Sequence, residues 1–337
     1  MNEKRKMGNK AVSKLALTVI IVVAVAVASV AGVTYIWATG KNKQTLVVST
    51  TTSLYDTGLL DVIEEQFEAE YAIDVYFISV GTGLAITHAQ RGDADMILVH
   101  APSQELTFLE GGYGMCRKIV AYNFFAIVGP AEDSAQIADL SPVEALTKIV
   151  EAGRDGNAVW VSRGDDSGTH IKEKGLWTAT GFNWTTLRDE DWYHEAGTGM
   201  GGTLLLANEF SAYTLADMGT YLKYHKCGLI SLVVLVSQGE ELLNVYSAIA
   251  VNRTRNPEAN FEGAIAFIKF LTIQQGQQII GEYGQDQYDQ GLFYPAVQLL
   301  KENTNQTLVS WIQNYAYFNG TECPQQYRND HPELFQE

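Results

Sequence analysis

Cysteine is nearly absent from this 337-residue chain: Cys116, Cys227 and Cys323 are the only three, and none stands in a C-x-x-C spacing. An odd set without that spacing excludes a disulfide scaffold and offers no zinc or thiol-redox motif. One disulfide fits the count, and its pairing cannot be read. Basic charge is also scarce. The chain has 23 Lys/Arg against 39 Asp/Glu, and seven of the bases but only Glu3 of the acids fall in residues 1–44. Residues 45–337 therefore hold 16 bases and 38 acids, a net of −22. A body that acidic lacks the basic face nucleic acid requires, so no nucleic-acid partner is expected. It is soluble and self-repelling. An anionic ligand would have to be held by local donors against that field. A long apolar run occurs once, at residues 15–37, which excludes a polytopic membrane protein.

Nucleotide and hydrolase signatures are missing too. There is no G-x-x-x-x-G-K-[ST] loop, and Gly81-x-Gly83 lacks the third glycine of a dinucleotide fingerprint. His88 and His100 have no H-x-x-x-H spacing, so no metal is expected. Asp166-Ser167-Gly168 is only a fragment of a serine-protease nucleophile loop, although His170, His194 or His225 could in principle serve a hydrolase.

What is present is an ordinary globular composition, 46% hydrophobic and 18% charged, long enough for two lobes. Residues 1–14 carry Lys4, Arg5, Lys6, Lys10 and Lys14 ahead of the 23-residue uncharged run at 15–37. Basic residues before a span keep the N-terminus in the cytoplasm and place the body outside. Ser29-Val30-Ala31 offers a signal-peptidase site, but the run continues past it to Trp37, which favours an uncleaved anchor over secretion. No cysteine lies near for a lipid anchor. Residues 38–44 read as a linker. Four N-x-[ST] sequons, at Asn183, Asn252, Asn305 and Asn319, agree weakly with an exterior location.

From residue 45 short apolar strands alternate with amphipathic helices, the pattern of parallel sheets covered on both faces. Strands are expected at 45–49, 74–80, 95–99, 119–128, 158–161, 229–236 and 246–251. Helices are expected at 58–69, 84–90, 103–110, 142–152, 169–180 and 257–271. Ligands of such sheets bind at the carboxyl ends of strands. Three strand-to-helix loops there are rich in hydroxyls and glycine: Thr50-Thr51-Thr52-Ser53, Gly81-Thr82-Gly83, and Ser162-Arg163-Gly164-Asp165-Asp166-Ser167-Gly168-Thr169. Each places free N–H groups at a helix start, and Arg163 adds a fixed forked cation. Singly, each loop is explained by helix capping, and Arg163 by an ion pair with Asp165 or Asp166. Together they point to a tetrahedral anion.

These strings, with Asp56-Thr57-Gly58-Leu59-Leu60, Leu98-Val99-His100-Ala101-Pro102, Gly197-Thr198-Gly199-Met200-Gly201 and Leu292-Phe293-Tyr294-Pro295, resemble the tungstate-binding receptors of ABC importers, within the periplasmic-binding-protein superfamily. R-x-D-x-S-G-T also resembles the phosphate receptors. The likeness implies a type II two-lobed α/β fold, each lobe a mainly parallel sheet flanked by helices, closing over one oxyanion in the interlobe cleft. By it, lobe 1 is 45–122 with 247–300, lobe 2 is 123–246, and the crossovers lie near 122–125 and 243–247. Residues 301–337 are an extension without a role in the pattern. The implied ligand contacts are Thr51, Thr52, Ser53 and Thr82 from one lobe and Arg163, Ser167, Gly168 and Thr169 from the other, with the Gly199–Gly201 backbone as a further contributor. Asp165 is expected to orient Arg163 rather than face the ligand.

The expected function is an extracytoplasmic receptor for tungstate or molybdate, monomeric, without cofactor or catalysis, serving a membrane permease with a separate ATPase subunit. A phosphate or sulfate receptor, and less favourably a membrane-tethered hydrolase using Ser167, are the alternatives.

Overall fold

The structure is a computed structural model that describes residues 43–335 apart from Gln238 and Asp330. The expected basic end, apolar segment and most of the linker lie outside the described residues. Among the described residues no helix is long and apolar enough to cross a membrane.

The chain opens with β1 (Gln44–Thr51), the short helix α1 (Thr52–Asp56) and α2 (Leu59–Glu70). Gly58, at φ +85°, makes the left-handed corner between the helices. Leu59, Leu60, Ile63 and Phe67 form the buried stripe of α2. Then come β2 (Ile73–Val80), α3 (Thr82–Arg91), β3 (Met96–Val99) and α4 (Pro102–Glu110), whose proline sits at the first turn where no N–H is needed. The 16-residue β4 (Gly114–Gly129) follows, almost wholly buried. A Ser141/Glu144 capping box starts α5 (Pro142–Arg154). Next are β5 (Trp160–Ser162), α6 (Gly168–Ala179), α7 (Trp184–Leu187), β6 (Tyr193–Glu195), α8 (Met200–Glu209), β7 (Thr214–Asp217) and α9 (Met218–Lys226). The chain returns through β8 (Val233–Val236) and β9 (Leu243–Val251). It closes with α10 (Phe261–Thr272), α11 (Gln274–Glu282), α12 (Gln285–Tyr288), β10 (Tyr294–Pro295), α13 (Val297–Glu302) and α14 (Gln306–Ala316).

The main sheet has the order β10-β4-β9-β3-β1-β2, with β7 and β8 attached to the far end of β4. Up to Phe124, β4 pairs with β9, including Tyr122 with Val245, Asn123 with Asn244 and Phe124 with Leu243. From Phe125 onward its partners are β7 and β8. The two expected crossover segments are thus neighbouring strands. On the β1 side the core gathers around Phe67, Phe267, Phe270 and Phe293; on the β7 side it gathers around Trp160, Trp177, Trp192 and Tyr213. Pairing differs from the mainly parallel expectation. It is parallel at β1–β3 and β5–β6, but antiparallel wherever β4, β9 or β10 takes part. A chain that leaves and re-enters one half across the same line must run in opposite directions on the two passes.

The C-terminal stretch, opaque in the sequence, is integral. Ile312 and Ala316 of α14 pack with Ile119, Tyr122, Leu243 and Val245 on the paired strands. Glu322 accepts from Lys118 Nζ at 2.8 Å and from the Ile119 N–H at 2.5 Å, while its carbonyl accepts from Arg117 Nη1 at 2.7 Å. Arg117 in turn pairs with Glu105 at 2.8 Å, both fully buried. No disulfide joins the cysteines: Cys116 and Cys323 are buried free thiols, pushed up by burial to about 12 and about 11, and Cys227 is an exposed one.

Candidate functional site

Helix starts supply the site. Thr51 caps α1, its Oγ1 accepting from the Leu54 N–H at 3.4 Å; Ser167 caps α6, its Oγ accepting from the His170 N–H at 3.2 Å. A capping hydroxyl uses a lone pair, so its O–H remains able to donate; that of Thr51 meets Ser53 Oγ at 3.4 Å. The caps of α3 and α8 are Gly81 and Gly199, with no side-chain cap bond, so the first-turn N–H groups of two ten-residue helices have no cap acceptor. A Cβ on Gly81 would lie 3.8 Å from the Asp165 carbonyl oxygen, and one on Gly199 would lie 3.7 Å from Thr52 Oγ1. The ends of α3 and α8 therefore face the Arg163 loop and the start of α1.

Arg163 is 2% exposed and links these pieces. Its Nε and Nη2 donate to Asp165 Oδ2 at 3.2 and 2.5 Å, and Nη2 also donates to Thr52 Oγ1 at 3.2 Å. Nη1 has no protein acceptor among the described residues. Asp165 Oδ1 accepts from the Ser167 N–H at 3.1 Å, so this carboxylate fixes both the guanidinium and the loop. Asp166 turns away at φ +54° to pair with Lys174 at 2.7 Å, which holds its carboxyl below the usual range. Gly168 permits a close approach: a Cβ there would fall 2.6 Å from His100 Cε1.

The hydroxyls of Thr82 and Thr169 are fully buried and have no partner. Buried polar groups are nearly always bonded, so two orphaned donors in loops already rich in donors call for an explanation. A donor-only set of hydroxyls, N–H groups and one arginine suits an unprotonated oxyanion.

Sequence reasoning passed over several neighbours. His100, which lacks metal-ligand spacing, follows β3, at a strand's carboxyl end. Its Nδ1 donates to Asn244 Oδ1 at 2.8 Å, because the Asn244 amide nitrogen is engaged by Asn123 and Tyr246. Nε2 is then the acceptor for the Ser53 hydroxyl at 3.4 Å, which leaves Ser53 its backbone N–H to offer a ligand. Burial, with the Arg163 and Lys172 charges, lowers His100 to about 4. Asp165 and Asp166 are not the only carboxyls nearby. Asp56 and Asp217, also within the field of Arg163, are both raised by burial; Asp217 Oδ1 caps α9 through Thr220, and Oδ2 has no partner. Asp56 stands in the Asp56–Leu60 string without a role assigned to its carboxyl, and Asp217 lies in no motif of the sequence.

Two halves threaded by paired antiparallel strands, with hydroxyl- and N–H-rich helix starts in both, have the build of a periplasmic-binding-protein type of solute receptor. The family model of the PBP superfamily domain matches residues 36–274. The chain belongs to that superfamily and, within it, to the family of the tungstate-binding protein TupA. It is 41% identical over 256 residues to the TupA of Peptoclostridium acidaminophilum, an alignment covering 75% of this chain and 86% of the relative. Among solved structures, it resembles the tungstate-binding TupA from Desulfovibrio alaskensis G20 at 38% identity and TM-score 0.64, covering 75% of this chain and 98% of that one. A tungstate ABC transporter structure from Geobacter sulfurreducens is similar at 42% identity and TM-score 0.64, covering 71% and 98%.

Proposed function

We propose that this chain is an extracytoplasmic receptor that captures tungstate, or the nearly isosteric molybdate, and delivers it to an ABC permease driven by a separate ATPase subunit. The observation that carries this reading is the pair of buried, unpartnered hydroxyls, Thr82 and Thr169, in the loops around a buried arginine. A tetrahedral dianion would satisfy both, together with Arg163 Nη1 and the N–H groups of Ser53, Thr169 and the α3 and α8 starts. Thr51, Thr52 and Ser167 complete the shell, Gly168 lets the backbone approach, and Asp165 acts on Arg163. Residues 45–122 and 247–300 would form one lobe and 123–246 the other, hinged at the β4–β9 pair, with residues 15–37 as the membrane anchor.

Hydrolysis is the weaker reading. Ser167 Oγ caps α6, and the Nδ1 of His170 accepts from the Asp166 N–H, so the two do not form a nucleophile–base pair. The nearest such relay is Ser53–His100–Asn244, whose imidazole, held at about 4, is too weak a base at neutral pH.

Titration calorimetry with tungstate, molybdate, phosphate and sulfate tests the proposal. Tungstate should bind 1:1 and raise the thermal midpoint, since a ligand of the native state stabilises it by mass action. Hydrogen phosphate carries a proton that a donor-lined site leaves unmatched, so it should bind much more weakly. No midpoint shift at saturating tungstate removes the receptor reading, and equal competition by phosphate replaces tungstate with phosphate.

A further inference from the structure

Resting on the receptor reading, the charge balance of the site leads to a second residue. Arg163 is neutralised by Asp165, and Lys174 by Asp166, so neither pair brings net positive charge to a dianion. Lys172 differs. It lies one turn into α6, 9% exposed, and forms no salt bridge among the described residues. Its ammonium donates to the Leu243 carbonyl at 2.7 Å, at the start of β9, and sits 4.0 Å above the Tyr315 ring of α14. Both partners are neutral. A cavity of about 340 Å³ beside it is walled by His100 and Gly168, the two residues that back onto the anion loops, and also by Glu241, which forms no salt bridge with it. A buried cation with no carboxylate bonded to it is costly unless a further counter-ion is near.

We propose that Lys172 is a positioning cation of the oxyanion site: it ties the helix that carries Ser167–Thr169 to the crossover strand, adds a charge that no salt bridge holds, and takes up a proton when the dianion binds.

The groups facing Lys172 fit this role. Glu240 and Glu241, in the turn before β9, pull its proton affinity up, but burial outweighs them and holds it at about 7. Glu105 of α4 is engaged by Arg117. Tyr315 is raised by burial and stays neutral, and His100, at about 4, is neutral as well. Lys172 therefore titrates near neutrality beside the site, while burial lowers His170, at the start of the same helix, below its ordinary value. A dianion favours its charged form, so binding raises its proton affinity. Tungstate affinity is then highest below pH 7 and falls as pH rises between the free and the bound value.

The test is calorimetry on the full chain with sodium tungstate, in HEPES and Tris at matched pH from 6.5 to 8.5. Wild type should take up a fraction of a proton at pH 7.5, and its affinity should fall about sixfold across the range, the consequence of a one-unit shift from about 7. Lys172→Arg, permanently charged, should keep the pH 6.5 affinity throughout without proton uptake. Lys172→Met should show no uptake and the weaker, alkaline affinity at every pH. Absent uptake in wild type, or a slope that survives in Lys172→Met, overturns the role of Lys172. Absent tungstate binding at pH 6.5 overturns the receptor reading and this inference with it.

Discussion

Replacing Thr82 or Thr169 by valine separates a ligand-binding hydroxyl from a structural one, because the two roles predict opposite signs for stability. Each hydroxyl is fully buried with no partner. Desolvating a hydroxyl without a bond costs roughly 1–3 kcal/mol on protein mutational scales, and valine fills the same volume without that cost. The ligand-free variants should therefore be more stable by about 1 kcal/mol, a rise in thermal midpoint of roughly 1–2 °C for a chain of this size. Binding moves the other way. A hydrogen bond to a charged acceptor contributes roughly 1.5–3 kcal/mol, so each valine should weaken tungstate by about ten- to a hundredfold. Scanning calorimetry without ligand and titration calorimetry with it read the two effects on the same samples. A lowered midpoint with unchanged affinity would refute the reasoning, since the hydroxyls would then serve the fold.

Arg163→Ala should weaken tungstate by about a hundredfold or more, near 3 kcal/mol. It removes the Nη1 donors and leaves Asp165 to repel the dianion; Arg163→Lys should recover only a minor part, lacking the fork that holds Asp165 and Thr52 together. Titration calorimetry decides, and affinity within twofold of wild type would place Arg163 outside the site. Glu322→Ala should destabilise the protein by about 3 kcal/mol in urea denaturation, because Lys118 and the Ile119 N–H lose their buried carboxylate; an unchanged urea midpoint would make the tail peripheral. His100 gives the pH dependence. Its folded value, about 4, lies below the unfolded 6.5, so the unfolded chain binds more protons between those limits. Stability should be full above about pH 6.5 and fall by about 3 kcal/mol as pH drops towards 4. His100→Gln should reduce that slope, and an identical slope in the variant would assign the titration elsewhere.

The parts of this molecule legible in its sequence are those whose cause is local. Leu59, Ile63 and Phe67 recur at a helical spacing, and the expected helix at 58–69 is α2, one residue on. Pro142 at a first turn marked α5, and the apolar run at 119–128 is the buried middle of β4. Boundaries moved where tertiary partners extend an element: β4 begins at Gly114 and β9 at Leu243 because each completes the other's ladder from Gly114–Val251 to Phe124–Leu243. The loop at 50–53 hides a five-residue helix, since Thr51 serves at once as strand end and cap. Candidate donors were legible for a similar reason: hydroxyls, glycines and an arginine at strand-to-helix turns carry their chemistry in their type and position. What surrounds them does not. His100 comes against the candidate donor loops only because Asn244, 144 residues away, fixes its ring and Gly168 lacks a side chain to push it aside. Lys172 was invisible for the converse reason. A lysine one turn into a helix reads as a solvated surface charge, and only the C-terminal helix, laid over the crossover strands with Tyr315 against the ammonium, takes it out of water. The same docking accounts for the tail. Without residues 301–337 the Arg117 and Lys118 side chains on β4 would lose Glu322, and the outer face of the crossover would lose Ile312 and Ala316. The strands that join the two halves are thus braced by chain that lies outside the pattern of the fold.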